Sequence, residues 1–350
     1  MANNDKKKLR INKNIVRGLG LAFFIAVFAK VIESFLPGGV IGASVIALFT
    51  GVIINYVYPL EKTSFSTGIN FASKRVLKFA IILLGASLNI VTILEVGKIS
   101  LTVMVFTLLT AFSGGYLLGK LFGMDWKLSS LISTGTGVCG GSAIAALSPV
   151  IEAEDYQITY AMSTTFVFDM LMILLFPLMG RALNLSNIAY GLWTGTAVND
   201  TSSVVAAGYA FSEGAGDFAT MVKLTRTLSI IPIVIVFSFI QLYIRRKESL
   251  DAGKDSNQKV NFNFGKVFPW FILGFVLMAM LNSIGWIPVE FAQILKDISR
   301  FLMVMALGAI GLKTNLKEMK KSGIAPILHG FMISLLVVIV AYSVIYFLKI

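Results

Sequence analysis

The stretch Thr134-Gly-Thr-Gly-Val-Cys-Gly-Gly-Ser142 interrupts an otherwise apolar segment of the chain, and a second stretch repeats its pattern. The second stretch is Thr194-Gly-Thr-Ala-Val-Asn-Asp-Thr-Ser202, which aligns with the first without a gap. Glycines and hydroxyls inside a membrane-length apolar segment predict a broken helix, because the freed backbone groups must meet protein, water or a ligand. These two glycine strings therefore predict discontinuous helices and a transport site.

The composition around the glycine strings is that of a polytopic membrane protein. Hydrophobic residues make up 56% of the 350 residues, charged residues only 14%, and the mean hydropathy is +0.82, which excludes a soluble domain. A transmembrane helix needs roughly 20 apolar residues. Eleven segments fit this length, near residues 15–35, 39–58, 76–94, 99–119, 128–150, 157–180, 188–211, 218–244, 267–285, 291–312 and 325–347. We therefore predict an all-α fold with about 11 transmembrane helices in a single domain, residues 1–350.

The net charge of +12 is explained by topology. Lys and Arg, including Arg181, concentrate in alternate loops, whereas the opposite loops are short and acidic, as at Glu152 and Glu154. Because basic loops stay in the cytoplasm, the N-terminus is predicted to be cytoplasmic and the C-terminus, after eleven crossings, outside. The basic tail 1–14 and the polar linker 245–263 are cytoplasmic in this arrangement, and nucleic acid is not an expected partner. Cleavage of the first segment as a signal peptide stays open, since it leaves the orientation unchanged.

Several chemistries are excluded by what the chain lacks. The single cysteine, Cys139, rules out an internal disulfide, and a single histidine, His329, argues against a zinc or haem site built from histidines. His329 is expected near a membrane interface. The chain has no Walker A string and no HExxH motif, so neither an enzyme nor a cofactor is predicted. Uphill transport would then draw on an ion gradient, and a passive channel is the alternative.

The glycine strings supply the candidate substrate-binding residues. Each Thr-Gly-Thr lies about eight residues into its segment, roughly 12 Å deep. The two segments run in the same direction in the predicted topology. Half-helices beginning at Ser142 and Ser202 would attract an anion, whereas the unwound carbonyls before them would suit Na⁺. Close packing of small residues is the alternative explanation. The candidates are Thr134, Gly135, Thr136, Gly137, Cys139, Gly140, Gly141, Ser142, Thr194, Gly195, Thr196, Asn199, Thr201 and Ser202.

Four ionisable residues fall deep within predicted spans, where a charge is costly and usually faces a cavity or a partner. Asp200 and Asp169 are candidates to carry the coupling ion, H⁺ or Na⁺, and Asp169 has the alternative of a structural carboxylate. Lys223 and Arg226 lie three residues apart and share a helix face. They either bind a substrate anion or neutralise the two aspartates.

A second internal similarity joins Leu83-Leu-Gly-Ala-Ser-Leu-Asn89 and Ala306-Leu-Gly-Ala-Ile-Gly-Leu312. The predicted topology makes these two segments antiparallel, as an inverted repeat requires.

At these motifs the chain resembles the YeiH-type family of sulfate exporters over nearly its whole length. The resemblance rests on 134–146, on 195–207 and on Lys223-Leu-Thr-Arg226 leading to Pro232. Histidine is expected in many relatives where this chain has Asn199, so an imidazole role does not carry over. The resemblance implies the bacterial inner (cell) membrane, and kinship with cation/proton antiporters and bile-acid-type sodium symporters, whose fold uses inverted repeats and crossing broken helices.

Together these observations predict a secondary transporter of a small anion, of the sulfate or sulfonate type, coupled to H⁺ or Na⁺. The alternative is a monovalent cation/proton antiporter with its ion site at Asn199 and Asp200. A membrane scaffold or sensor would explain the glycines but not the buried charges. The lipid bilayer is the expected surrounding partner, and a homodimer stays open.

Overall fold

A computed structural model describes residues 2–35, 43–60, 64–251, 270–314 and 324–349. Every regular element within these ranges is a helix, which confirms the all-α class. The elements are α1 Ala2–Phe35, α2 Ala43–Val57, α3 Ser66–Phe71, a π-helical turn Ala72–Val76, α4 Leu77–Gly85, α5 Ile90–Leu121, α6 Trp126–Gly137, α7 Gly141–Leu147, α8 Asp155–Ala182, α9 Asn187–Ala197, α10 Thr201–Phe211, α11 Glu213–Leu228, α12 Ile230–Asp251, α13 Phe271–Ser283, α14 Val289–Gly311 and α15 Ile324–Phe347.

The apolar helices make this an integral membrane protein. Five of the described segments are long and apolar enough to cross a bilayer, namely Asn14–Phe35, Ile90–Leu121, Tyr156–Ala182, Glu213–Arg246 and Ile324–Phe347. The apolar helices α2 and α13 are shorter. Of the predicted tail and linker, residues 2–14 belong to α1 and 245–251 to α12, whereas 252–263 lie outside the described residues.

The first glycine string lies at the tip of a helical hairpin formed by α6 and α7, here named hairpin 1. Lys127 Nζ, at the start of α6, donates to the carbonyl of Glu152 at 2.9 Å. Gln157 Nε2 donates to Asp125 Oδ1 at 3.0 Å. A straight helix would separate Lys127 and Glu152 by about 37 Å, so the chain must turn back after α6. The predicted crossing at 128–150 is therefore wrong.

The second glycine string lies at the tip of hairpin 2, formed by α9 and α10. Ser212 Oγ, just after α10, donates to Asn187 Oδ1 at the start of α9, at 2.7 Å. The Tyr190 and Phe211 rings stack with centroids 3.9 Å apart. Both ends of this hairpin thus lie side by side, and the predicted crossing at 188–211 is also wrong.

The two hairpins enter from opposite ends of α8, a 28-residue helix about 42 Å long. Hairpin 1 contacts the start of α8 through Gln157, and hairpin 2 contacts its end, where Arg181 Nη2 donates to the Ala210 carbonyl at 3.3 Å. We name the two faces the Lys127 end and the Asn187 end. Because α6 and α9 each run toward a tip from opposite ends, they are antiparallel, which corrects the prediction of parallel segments.

Because both hairpins turn back, some charges lie on a different side of the fold from the one predicted by alternating loops. Glu152 lies at the Lys127 end, where it pairs with Arg245, instead of on the opposite face. Arg181 lies at the Asn187 end. Each hairpin returns to the side of the fold from which it entered, so the charges before and after it lie on the same side. A prediction that counts every apolar segment as a crossing assigns them to opposite sides.

Local sequence explains how the hairpins begin and turn. Asp125 caps α6 by accepting from Lys127 N at 2.8 Å, and Asp200 caps α10 by accepting from Ser202 N at 2.9 Å. At the tip of hairpin 1, Gly140 has a φ of 61°, a left-handed conformation that favours glycine. A Cβ there would also lie 2.9 Å from the Asp200 Cβ, so only glycine lets the two tips approach this closely.

The helices form two groups with separate cores. Helices α5, α8, α11, α12 and α15 pack around the hairpins, while α1, α2, α3 and α14 pack around a second core. Helices α2 and α14 also contribute to the first core, as do α4 and α13. Close backbone contacts between Gly51 of α2 and Gly308 and Gly311 of α14 hold this second group together.

Candidate functional site

The hairpin tips meet beside Asp169, close to the middle of α8. Asp169 Oδ1 accepts from Asn199 N at 2.9 Å and Oδ2 accepts from Asp200 N at 3.0 Å. The side chain is buried, with 1% of its surface exposed. A carboxylate at the start of α10 meets both free N–H groups and the positive end of that helix, so Asp169 fixes the tip of hairpin 2.

Lys223 of α11 binds both tips at once. Its Nζ donates to the carbonyls of Val138, at 2.8 Å, and Val198, at 3.0 Å. These two residues occupy equivalent positions in the aligned glycine strings. The ammonium is fully buried, and it satisfies carbonyls that the two breaks would otherwise leave without donors.

Arg226, one turn further along α11, completes this arrangement. Nε donates to the Gly137 carbonyl at 2.8 Å, Nη2 to the Thr136 carbonyl at 2.5 Å and Nη1 to the Val198 carbonyl at 3.3 Å. Each guanidinium nitrogen therefore has a backbone acceptor. Both cations lie at the carboxyl ends of α6 and α9, where the helix dipole favours positive charge.

The four charged side chains of the site bind backbone groups at helix ends. The two carboxylates bind N–H groups at the start of α10, and the two cations bind carbonyls at the ends of α6 and α9. None of the ion pairs found among the described residues joins an aspartate of this site directly to Lys223 or Arg226. The hypothesis that these cations neutralise Asp169 and Asp200 is therefore compatible with the structure, with backbone groups at the helix ends lying between the opposite charges.

The predicted site residues divide into a buried and an accessible set. Asp200 and Thr201 are half-buried, Gly141 likewise, and Ser142 is exposed. Asp200 Oδ2 also accepts from Ser202 Oγ. The remaining predicted residues of the two strings are buried, namely Thr134, Gly135, Thr136, Gly137, Cys139, Gly140, Thr194, Gly195, Thr196, Asn199 and Ser202. The meeting point of the tips is thus open on the side of Ser142 and Asp200.

Three buried polar atoms of the glycine strings lack a hydrogen-bond partner among the described residues, namely Thr134 Oγ1, Thr194 Oγ1 and Asn199 Oδ1. Thr196 Oγ1 donates to the Leu192 carbonyl at 2.7 Å. Asn199 Nδ2 donates to Ser334 Oγ of α15 at 3.4 Å. An unpaired Asn199 oxygen beside two carboxylates is available to a cation or to a proton donor.

The two aligned tips differ at the residue that precedes each second half-helix. Hairpin 2 carries Asp200 as the residue before α10, and hairpin 1 carries Gly140 before α7. Consequently α10 begins with its own carboxylate cap, whereas α7 has no side-chain cap. The Asp200 side chain lies against Gly140 instead.

Three polar residues at the edge of the site were not predicted. Ser334 contacts Asn199, as described, and Ser129 Oγ lies 3.2 Å from His329 Nε2. His329 lies near the start of α15 and is fully buried by the packed helices, and its interfacial depth stays a prediction. The signal in the sequence is a pair of polar side chains, His329 and Ser334, five residues apart in an apolar helix. Within the described ranges no three His, Cys, Asp or Glu side chains form a metal site.

Known proteins share this chain's sequence over most of its length. A family model described as conserved hypothetical protein 698 matches residues 17–330. The chain belongs to that family. A UPF0324 membrane protein of Clostridium tetani is 55% identical over 330 residues, which cover 93% of this chain and 95% of the relative. UPF0324 membrane proteins of Streptococcus mutans and Fusobacterium nucleatum are 42% and 39% identical, covering 89% and 91% of this chain and 91% and 94% of the relatives. The match spans both hairpins of this family member.

Proposed function

We propose that the protein is a secondary active transporter whose substrate and coupling ion bind where the two hairpin tips meet. The observation that carries this proposal is the cluster of Asp169, Asp200, Lys223 and Arg226 around two broken helices halfway along α8. Charges at this depth are costly to a membrane protein and mark ion or substrate paths in transporters. Packing of small residues alone would need no charges.

The proposed substrate is a small anion, and the resemblance to YeiH-type exporters suggests sulfate or a sulfonate. The hydroxyl of Ser142 and the uncapped start of hairpin 1's second half lie on the accessible side, next to the half-buried Asp200. Lys223 and Arg226 add positive potential but already donate to carbonyls. An anion beside Asp200 is repelled until that carboxylate takes a proton or pairs with Na⁺. This repulsion couples the binding of the anion to the binding of H⁺ or Na⁺.

The proposed topology has nine crossings, counted over the described helices, and two hairpins that do not cross. The crossings are α1, α2, α3 with α4, α5, α8, α11 with α12, α13, α14 and α15. Lys127 and Arg245 assign the Lys127 end to the cytoplasm of the cell membrane. Because the number of crossings is odd, the two termini lie on opposite sides, with the N-terminus in the cytoplasm and the C-terminus outside. Helix α5 with hairpin 1 and α8 with hairpin 2 form an inverted repeat, because each unit adds one crossing.

Labelling of single cysteines tests this topology. In a Cys139→Ser background, cysteines at Lys127 and Glu152 should react with a membrane-impermeant maleimide only from the cytoplasmic side, and cysteines at Asn187 and Ser212 only from outside. Eleven straight crossings would instead place Lys127 and Glu152 on opposite sides. Intact cells and inverted vesicles give the two sides separately.

A cation/proton antiporter is the second candidate. It is favoured by the unpaired, buried Asn199 Oδ1 beside Asp169, since acceptor oxygens bind Na⁺ and carboxylates exchange it for H⁺. In that case Lys223 and Arg226 act only as counter-charges for the helix ends.

Ligand-dependent thermal stability of the purified protein distinguishes the two candidates, since a bound ligand raises stability by mass action. Sulfate, sulfite, small sulfonates, carboxylates, Na⁺ and Li⁺ form the panel. For an anion carrier, one anion should stabilise the protein more strongly at low pH, and Asp200→Asn should keep the binding while removing its pH dependence. For a cation antiporter, only Na⁺ or Li⁺ should stabilise, and Asp200→Asn should abolish the shift. Asp297→Asn, an exposed aspartate, is the control.

A further inference from the structure

The single histidine of the chain lies in α15, buried between α5 and α6. His329 Nε2 is 3.0 Å from the Gly115 carbonyl and 3.2 Å from Ser129 Oγ. Ser129 Oγ itself donates to the same carbonyl at 2.9 Å. Nδ1 is buried and has no hydrogen-bond partner among the described residues. None of these contacts is needed by the site at the hairpin tips.

These contacts select one neutral tautomer of the ring. A carbonyl only accepts, so the contact with Gly115 requires that Nε2 carry the proton. Nδ1 then holds a lone pair in a buried position without a donor, which is costly in an apolar layer. Nδ1 is the nitrogen that takes up a proton when this ring becomes an imidazolium.

Polar side chains continue from His329 toward the hairpin tips. On α6 they follow at helical spacing as Ser129, Ser133 and Thr136, all buried. Thr136 Oγ1 lies 3.5 Å from Ser334 Oγ, and Ser334 accepts from Asn199 Nδ2 at 3.4 Å. Buried polar side chains thus line α6 and α15 from the Lys127 end of hairpin 1 to the tip of hairpin 2.

Helix α8 contributes a third wall of this path. Thr164 lies against Gly330, the residue after His329, and its buried Oγ1 has no partner among the described residues. Thr164 is five residues before Asp169, about 7.5 Å along α8. Unpaired buried atoms thus occur at the start, the middle and the end of the path, at His329, Thr164 and Asn199.

We propose that this path is the proton-access route of the transporter, with His329 as its proton carrier and the neighbouring carboxylates of Asp169 and Asp200 as its end point. The path consists of His329, Ser129, Thr164, Thr136, Ser334 and Asn199. The inference rests on the proposed function and identifies its coupling ion as H⁺, which enters from the Lys127 end.

The transfer balances in protons and charge. A proton from the Lys127 end binds Nδ1 of neutral His329 and gives an imidazolium. In the proposed relay, water that enters from the Lys127 end bridges Nδ1 to the Thr164 hydroxyl and onward past Ser334. The proton that leaves Nδ1 is taken up by the carboxylates of Asp169 and Asp200, and the ring returns to its neutral form. The groups facing His329 are the Gly115 carbonyl and Phe122 ring of α5 and Ser129 of α6. Among these contacts no second ionisable group competes for the proton.

Nitrogen NMR of the protein labelled with ¹⁵N-histidine tests the first step, since one histidine gives one unambiguous pair of signals. In lipid nanodiscs, we expect the Nε2–H tautomer at high pH and conversion to imidazolium as the pH falls from about 9 to 5. A ring that stays neutral over this range would overturn the proposal. This readout needs no substrate.

Sulfate-driven proton uptake into pyranine-loaded proteoliposomes tests the rest of the path. Thr164→Val should lower uptake about tenfold or more, whereas Thr164→Ser, which keeps the hydroxyl, should stay within about twofold. His329→Gln should lower uptake similarly while leaving sulfate stabilisation of the protein intact. Ser113→Ala, on an exposed face of α5, is the control.

The outcomes separate this inference from the proposed function. Equal uptake in Thr164→Val and wild type would overturn the route even if sulfate is transported. If sulfate drives no proton uptake but His329 titrates as described, sulfate would be ruled out as the substrate. The access route at His329 would stand.

Discussion

Replacing Arg226 with methionine is expected to lower the free energy of unfolding by about 3–5 kcal/mol. The guanidinium is 1% exposed and donates to the carbonyls of Thr136, Gly137 and Val198. Methionine fills a similar volume but leaves these carbonyls without a donor and removes a charge that balances the aspartates. Thermal unfolding in detergent, together with the yield of monodisperse protein, measures the loss.

Two further variants make this result specific. Arg226→Lys restores the charge but not the planar fork, so its stability should lie between those of wild type and Arg226→Met. Arg246→Met removes an exposed arginine of α12 and should change stability by less than about 0.5 kcal/mol. Wild-type stability in Arg226→Met would show that the two breaks are held together by other contacts.

Replacing Asp169 with alanine is expected to cost a similar amount, about 3–5 kcal/mol. The two N–H groups at Asn199 and Asp200 lose their acceptors, and the buried cations lose a counter-charge. Asp169→Asn keeps one acceptor oxygen and should be less destabilising. Chemical unfolding of both variants in detergent measures the difference.

A double-mutant cycle tests whether Asp169 and Lys223 act on each other through the hairpin tips. Each binds backbone at the tip of hairpin 2, on opposite sides of the break. The double variant Asp169→Asn, Lys223→Met should therefore be less destabilised than the sum of the single variants, by about 0.5–3 kcal/mol. Strict additivity would contradict a shared charge balance. Asp297→Asn combined with Lys223→Met is the additive control, because Asp297 is exposed.

Much of the site could be predicted from the sequence because its residues are polar or charged and lie within apolar segments. Glycines, hydroxyls and charges are rare in apolar segments, so the two glycine strings, Asp169 and Arg226 stand out without any structure. The structure brings all of them to one place. Their roles in binding an anion or an ion stay predictions.

The hairpins escaped prediction because the same string is compatible with two chain paths. A broken helix that crosses the bilayer and a hairpin that turns back within it need the same small and polar residues at the break. The distinction rests on contacts between residues far apart in sequence, Lys127 with Glu152 and Asn187 with Ser212. The burial of His329 could not be predicted for a related reason, since it depends on α5 and α6 packing over the ring.

The all-helical membrane class, the two breaks and the charged residues near them could be predicted from composition and short-range pattern, because burial in lipid penalises each polar residue individually. That the breaks are tips of opposed hairpins, and that Lys223 and Arg226 bind carbonyls of both, became visible in the three-dimensional contacts. The direction of the chain after a break depends on long-range contacts, whose partners are specified by packing and by no local pattern.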